Sequence, residues 1–493
     1  MLDIIIVGAG PAGLAAGIRL KQLNPDLNVA ILEKASTIGG HLISGAILQK
    51  DAYMKYIKKY SLKSDTKIIK ENIWQLNSKN YFDLSKFVPK NYKNEGNILV
   101  NINEICMSMA KDASNLGVDI YTCCGVRDII TNSNSTIGVL LSDNTKLLSK
   151  YTIIAEGACG LLTTKLLKFY KKTLNKDFAL GIREEWKPVS KDLIGSIYHT
   201  IGYPLNNKTN WGGGFIYNYN DNITIGYITH LNYENSHLCP YNEFERFKNH
   251  PYIKNILSEA KKTKYGAKII STNSIGLPSD GCYPGCTIIG CAFGLVDTVK
   301  LKGLHNAFNS GEKAAENYVR MNCKLVSNKA QEWLNPVLDN NLSISRNESI
   351  VLRKYGPIIL VLYKLISKLF LWYQLIPSIK IMSINNISPP RYWNITDNRI
   401  ETLVFSGLNY IGGKNHIDIN NKLLHKIYDL KLYDKLSNSF CPAKVYSWKR
   451  NLKHYEFKAN YENCIQCKTC IVKTANSTIN WNICTNGNGP NYL

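Results

Sequence analysis

A chain of 493 residues, 45% hydrophobic and 20% charged, can bury large cores, which excludes a small disulfide-stapled scaffold, wholesale disorder and a polytopic membrane protein. Sixty Lys and Arg against 37 Asp and Glu give a formal charge of +23, an excess that favours anionic partners. Lys, Asn, Ile and Tyr are abundant along the whole chain, as drift toward AT-rich codons would also produce, and no basic repeat or aromatic–basic alternation marks a nucleic-acid surface.

From the N-terminus, Leu2 to Gly8 is an apolar run ending in glycines, a helical stretch follows to about Leu23, and Asn28 to Lys34 is a second apolar strand. This strand–helix–strand unit opens a doubly wound sheet. Because Leu2 already begins a strand, neither a secretion signal nor an Arg/Ser-rich leader is read at the start. Gly8-Ala9-Gly10-Pro11-Ala12-Gly13 joins the first strand to the helix, and Glu33 closes the second strand. Gly8 permits the tight turn, Gly10 lets backbone approach a pyrophosphate, and Gly13 allows close helix–strand packing. The helix N-terminus would face the phosphates, and Glu33 the ribose hydroxyls.

This fingerprint alone does not separate FAD from NAD. The continuation Glu33-Lys34 to Gly39-Gly40, with strand-end glycine sites at Glu156-Gly157 and at Gly290 with Gly294, favours a long FAD. Strand-like runs from Thr152 to Ala155, Thr224 to Ile228 and Cys286 to Gly290 are widely separated. Residues 1–160 and 265–325 are therefore expected to form one discontinuous cofactor domain around a mainly β insertion, 161–264. Within a 326–400 linker, the apolar stretch 356–377 carries Lys364 and Lys368 one turn apart. Two central lysines disfavour a span, so a helix lying in the membrane interface is preferred over a buried core helix or a crossing.

The tail from about residue 401 to 493 reads as a separate module. Cys441-Pro442 is followed by Cys464, Cys467 and Cys470 at x2 spacing, the pattern of a [4Fe–4S] site with a remote fourth cysteine. Structural zinc, which usually presents two separated pairs, is the alternative. Cys484 falls outside the pattern, and Cys106, Cys123, Cys124, Cys159, Cys239, Cys282, Cys286, Cys291 and Cys323 are expected to be small core residues. The cysteines do not form a disulfide framework, so a reducing compartment fits.

Flavin fingerprint, apolar stretch and fused cysteine tail together resemble the electron transfer flavoprotein:ubiquinone oxidoreductase family. The resemblance covers nearly the whole chain: Ile38-Gly39-Gly40-His41 to Ser44-Gly45-Ala46, Ala155-Glu156-Gly157, Trp211-Gly212-Gly213-Gly214-Phe215, Lys300-Leu301-Lys302-Gly303, Cys441-Pro442-Ala443 and Asn480-Trp481. Related reductases without a cluster share only the front half. The resemblance implies an α/β fold: a Rossmann-type FAD-binding domain, an inserted mainly β quinone-binding domain and a C-terminal ferredoxin-like [4Fe–4S] domain.

It further implies that FAD and the cluster carry electrons from reduced electron transfer flavoprotein to ubiquinone, in a monomer held on a membrane surface. The bacterial inner membrane, cytoplasmic face, is expected, with the mitochondrial inner membrane, matrix face, as alternative. Gly212 and Gly213 match the family's quinone contact, or else mark a plain β-bulge. Tyr446 and Thr469 match hydroxyls that bond the cluster, or else are ordinary surface residues; donors to sulfur raise the cluster potential. The helix after Lys302-Gly303 would point its N-terminus at the flavin. Asp297 stands where the family usually has asparagine, which would lower the flavin potential, and Ser406 to Gly413 departs from the relatives' more acidic segment. A ferredoxin-dependent flavin reductase and a degenerate electron-carrier subunit are the competing functions. No Ser/His/Asp or metal-hydrolase motif is read.

Overall fold

The computed structural model describes residues 2–88, 93–171, 177–205, 210–272, 281–297, 302–320, 348, 351, 397–411, 415–451, 455–474 and 478–493. The 356–377 stretch, Lys300-Leu301, Gly412-Gly413 and Cys323 lie outside them. Among the described residues no helix is long and apolar enough to cross a membrane.

The first sheet runs Cys282–Tyr283, Cys286–Ile288, Lys146–Ile154, Leu2–Val7, Val29–Leu32, Asp119–Tyr121. Leu2–Val7 pairs in parallel with both Lys146–Ile154 and Val29–Leu32, so the tips Val7, Ile154 and Leu32 are level. Ile4, Ile5 and Ile6 are all fully buried, as an apolar strand covered on both faces requires. The helices Pro11–Leu23 and Leu304–Arg320 pack so closely that a Cβ on Gly311 would sit 2.3 Å from the Ala12 carbonyl oxygen.

The second sheet runs Lys261–Ser271, Phe178–Lys187, Ile223–His230, Gly212–Asn218, Ser196–Gly202, Lys70–Leu76, Tyr81–Asp83. It therefore reaches past the expected 264 boundary and takes two strands from the first segment. The reason is the edge. Ser196–Gly202 would otherwise present an unpaired backbone ladder, and Lys70–Leu76 covers it in parallel. Phe244 and Phe247 of the helix Pro240–Lys248 seal one face, Phe247 filling the space that a Cβ on Gly214 would take.

The C-terminal module holds two small antiparallel pairs, Ile417–Ile419 with Ile479–Trp481 and Tyr446–Arg450 with Tyr455–Ala459. Its apolar core is continuous with that of the second sheet. Tyr265 OH donates to the Pro442 carbonyl at 2.8 Å, and Ile269 N–H to the Cys467 carbonyl at 3.1 Å. Lys473, 1% exposed, donates to the carbonyls of Leu231 and Tyr233, each at 3.0 Å. Burial pushes the Lys473 amine down to about 7, and its two carbonyl acceptors lock the module in register, because leaving either oxygen or the amine unpaired would be costly.

Candidate flavin and cluster sites

A cavity of about 540 Å³ opens where the first sheet's strand tips meet the second sheet. Gly8, Gly10, Pro11, Ala12, Glu33, Lys34, Gly39, Glu156, Gly157, Asp297 and Gly303 all line it. The glycines divide by function. A Cβ on Gly10 would meet nothing within 4 Å, so the cavity itself occupies that direction. On Gly13 it would lie 2.1 Å from the Gly8 carbonyl, and Gly13 accordingly serves helix–strand packing and lies off the cavity wall, as do Gly40 and Gly294. The helix Pro11–Leu23 has Gly10 as N-cap, with no capping side chain and no acid in its first turn. The helix Leu304–Arg320 also begins at the wall without a first-turn acid, giving a second positive dipole end.

Glu33 is preset. Its Oε2 accepts the Ala9 N–H and its Oε1 the Ala35 N–H, each at 2.9 Å. Glu156 has a role that the sequence reading did not assign: it accepts from Leu162 N–H at 3.0 Å and from Thr163 N–H at 2.6 Å, capping the helix Leu161–Phe169. Asp297 is 4% exposed and exchanges backbone hydrogen bonds with Lys302, at 2.7 and 2.9 Å.

Lys34, Lys268 and Lys468 share one wall. Burial, then the neighbouring lysines, holds Lys34 well below the usual lysine range and pushes Lys268 down to about 8. Lys34 Nζ donates to Gln466 Oε1 at 2.8 Å. Three lysines crowded on one wall disfavour one another's charge, and an anion among them would relieve this, so a dianionic pyrophosphate and an anionic ring suit this cavity. The open direction at Gly10, the two helix ends and this wall fit FAD.

At the second-sheet end, Arg183, Phe215, Tyr217, Ile228 and His230 form the lining. Arg183 is 6% exposed and donates to Glu185 and Thr224, and its Nε finds no hydrogen-bond partner among the described residues. Gly212 and Gly213 do not line the cavity; a Cβ on them would fall 2.1 Å from the Ile228 carbonyl and 2.2 Å from the Thr200 carbonyl. Close strand approach is thus a sufficient reason for both glycines.

Cys441, Cys464, Cys467 and Cys470, each 5–7% exposed, line a second, smaller cavity with Tyr446, Lys468 and Thr469. Gln466 and Lys468 adopt φ of 51° and 67°, the tight reversals that bring successive cysteines to one centre. Val445 N–H points at Cys441 Sγ at 3.5 Å and Gln466 N–H at Cys464 Sγ at 3.4 Å. Thr469 Oγ1 lies 3.3 Å from Cys467 Sγ, and the Tyr446 hydroxyl bonds Cys470. Both hydroxyls are buried, not surface groups. Burial pushes the Cys441 thiol up to about 12 and raises the other three, so a cationic centre is needed to hold four thiolates there.

Among the described residues no three His, Cys, Asp or Glu side chains are gathered for a single ion. The sulfurs instead surround a cavity, as the corners of a cubane do. Cys484 lines neither cavity and accepts from Gln466 Nε2 at 3.3 Å. Cys123 is exposed, contrary to the core placement expected, and Cys124, Cys159 and Cys291 reach the flavin cavity wall.

The chain matches known families at three places: the ETF-QO ubiquinone-binding family over residues 178–270, the electron transfer flavoprotein-ubiquinone oxidoreductase 4Fe-4S family over 394–493, and the Thi4 family over 1–64. Among solved structures, a geranylgeranyl bacteriochlorophyll reductase-like protein from Thermoplasma acidophilum superposes with a TM-score of 0.58 at 16% identity, covering 75% of this chain and 97% of that one. The flavin-dependent brominase Bmp2 gives 0.57 at 16%, covering 75% and 92%. These likenesses speak to fold alone. The electron transfer flavoprotein-ubiquinone oxidoreductase of Pseudomonas aeruginosa is 29% identical over 99% of this chain and 98% of its own. The mitochondrial protein of that name from Oryza sativa is 30% identical over 99% of this chain and 92% of its own. With the quinone-binding and cluster segments matched in place, the chain belongs to the electron transfer flavoprotein-ubiquinone oxidoreductase family.

Proposed function

We infer that this protein takes electrons from reduced electron transfer flavoprotein and reduces ubiquinone to ubiquinol, using FAD and a [4Fe–4S] cluster. The observation that carries the reading is adjacency: Lys468 lines both cavities, and Cys467 bonds through its carbonyl to Ile269 on the flavin side. When bound, the cluster would pass electrons singly and FAD singly or in pairs, matching a one-electron donor to a two-electron quinone. The chain's own residues hold the two groups against one another in a common wall. Low-temperature electron paramagnetic resonance of the dithionite-reduced protein, followed by quinone turnover with reduced electron transfer flavoprotein, tests the reading. Zinc or no metal at the four cysteines in a fully active anaerobic preparation would overturn it.

Membrane attachment belongs to the same proposal. Phe82 and Phe87 are 58% and 64% exposed, their rings stacked with centroids 6.1 Å apart, on the edge of the second sheet. Together with the apolar 356–377 sequence, these rings suit a monotopic protomer on the bacterial inner membrane, cytoplasmic face. Flotation with anionic vesicles, lost in a Phe82→Ser, Phe87→Ser variant, is the expected result. The roles of Gly212 and Gly213 at the quinone, and of Asp297 beside the flavin, are proposed on the family match.

A further inference from the structure

We propose that Glu71, His199 and Tyr217 form a proton relay serving the second-sheet end of the cavity, with Tyr217 as the group that hands a proton to the quinone. The proposal rests on the quinone reduction inferred above. Three adjacent strands supply the members: Lys70–Leu76, Ser196–Gly202 and Gly212–Asn218. Ile197 is the register partner of both Glu71 and Tyr217, and His199, two residues on, shares its face. The imidazole therefore lies between a carboxylate on one side and a phenol on the other. His199 Nδ1 lies 2.8 Å from Glu71 Oε1, and its Nε2 lies 2.9 Å from the Tyr217 hydroxyl. Tyr217 lines the cavity next to Phe215, ring centroids 4.9 Å apart.

A purely structural role explains this poorly. Taking a carboxylate and an imidazole out of water adds little stability, yet Glu71 has only 2% of its side chain exposed. Its oxygens also accept the Asn94 N–H at 2.5 Å and the Asn94 side-chain amide at 2.8 Å. Burial acts to raise its pKa, but the hydrogen bonds from His199 and Asn94 prevail and keep it an anion. Burial holds the Tyr217 phenol well above its ordinary range, so it rests with its proton in place. His199 keeps 12% of its side chain exposed. Around the relay, Tyr219 is the next titratable group, and beyond it stand Arg183, Glu185 and Glu104. None of these last three bonds His199.

A quinone that takes two electrons from the enzyme's redox groups needs two protons to become the quinol. The Tyr217 O–H bond breaks as an O–H bond forms on a quinone oxygen. The phenol oxygen then takes the proton that His199 presents at Nε2, while Nδ1 stays on Glu71 Oε1. A hydronium ion from solvent then restores the proton at His199 Nε2, leaving water, and the second proton follows by the same route.

The test uses the full chain carrying both cofactors. Chemically reduced enzyme is mixed in a stopped-flow instrument with a water-soluble ubiquinone or with ferricenium, an acceptor that takes an electron and no proton. Tyr217→Phe is expected to slow reoxidation by quinone about 100-fold and to leave reoxidation by ferricenium within about twofold, with flavin absorbance unmoved and the melting temperature lowered by the buried hydrogen bond lost. Glu71→Gln keeps a hydrogen bond but removes the negative charge across from Nδ1, so the quinone rate should fall while the ferricenium rate holds. If Tyr217→Phe fails to retain FAD, His199→Gln is read with the same pair of acceptors. Parent-like quinone rates in the variant, or equal slowing with both acceptors, overturn the relay. A parent enzyme that reduces ferricenium but never quinone overturns the function inferred above instead.

Discussion

The two cavities are built by opposite means. The flavin cavity takes its phosphate end from backbone: glycines, two helix ends and strand tips, with residues as far apart as Gly8 and Gly303 brought together there. The cluster cavity is made of side chains, four sulfurs and two hydroxyls drawn from two short segments. The first should therefore be injured by adding atoms and the second by removing them. A backbone cradle also binds a rigid ligand through geometry, whereas sulfur ligands supply the bonds themselves.

The sharpest way to break this comparison is Cys464→Ala. One thiolate lost from a buried, four-cornered site should empty it, taking iron from four per chain to near zero by chemical assay. FAD should stay bound, because no residue of its backbone cradle has changed. The melting temperature should nevertheless fall, since the module shares its core with the second sheet. Loss of FAD together with iron would mean that the two cavities are one unit.

The glycines give the next largest effect. Gly10→Ala places a methyl where no protein atom lies within 4 Å, so the fold should hold while FAD affinity drops about 100-fold, roughly 3 kcal/mol. Gly13→Ala places one 2.1 Å from the Gly8 carbonyl, and this variant should lose about 1–3 kcal/mol of stability by denaturant melt. Equal FAD affinity in the Gly10 variant and its parent would show that the pyrophosphate does not sit there.

A smaller effect lies in the sulfur hydrogen bonds. Thr469→Val and Tyr446→Phe each remove one donor to a cluster ligand. A bond of about 1.4 kcal/mol to the reduced state corresponds to roughly 60 mV for one electron. Potentiometric titration should thus find each variant lower by about that amount, with the FAD potentials little changed.

What the sequence made legible was whatever chain spacing encodes. Gly8 to Gly13 fall within one turn, and Cys464 to Cys470 within one loop, so their chemistry could be read locally. The strand Lys70–Leu76 could not be assigned, because its partner is Ser196–Gly202 and only the folded sheet brings them together. The same distance hides the relay: Glu71 and His199 are 128 residues apart, and neither stands in a motif. Glu156 was read as a flavin residue from its glycine neighbour, and its capping of Leu161–Phe169 required knowing that a helix starts there. Gly212 and Gly213 teach a related lesson. A glycine signals that a Cβ would collide, and only the surroundings tell whether the other party is ligand or strand.

The smallest effect concerns how the remote ligand is held. Arg399 donates through Nη1 to the carbonyls of Asn438 at 2.7 Å and Cys441 at 2.8 Å. Asp397 fixes that guanidinium with two bonds, at 2.7 and 2.8 Å, and also pairs with Lys444 at 2.8 Å. The hydrogen bond from Arg399, ahead of burial acting the other way, holds the Asp397 carboxyl far below its ordinary range. A carboxyl so lowered contributes stability that is full above its unfolded value, about pH 4, and fades as pH falls further toward the folded value. Asp397 remains a third exposed, so solvent screens the pair and Asp397→Asn should cost less than about 1 kcal/mol at neutral pH. Urea midpoints of parent and variant should converge as pH drops below about 4. A gap that persists unchanged through that window would show that Asp397 holds Arg399 through hydrogen-bond geometry independent of its charge.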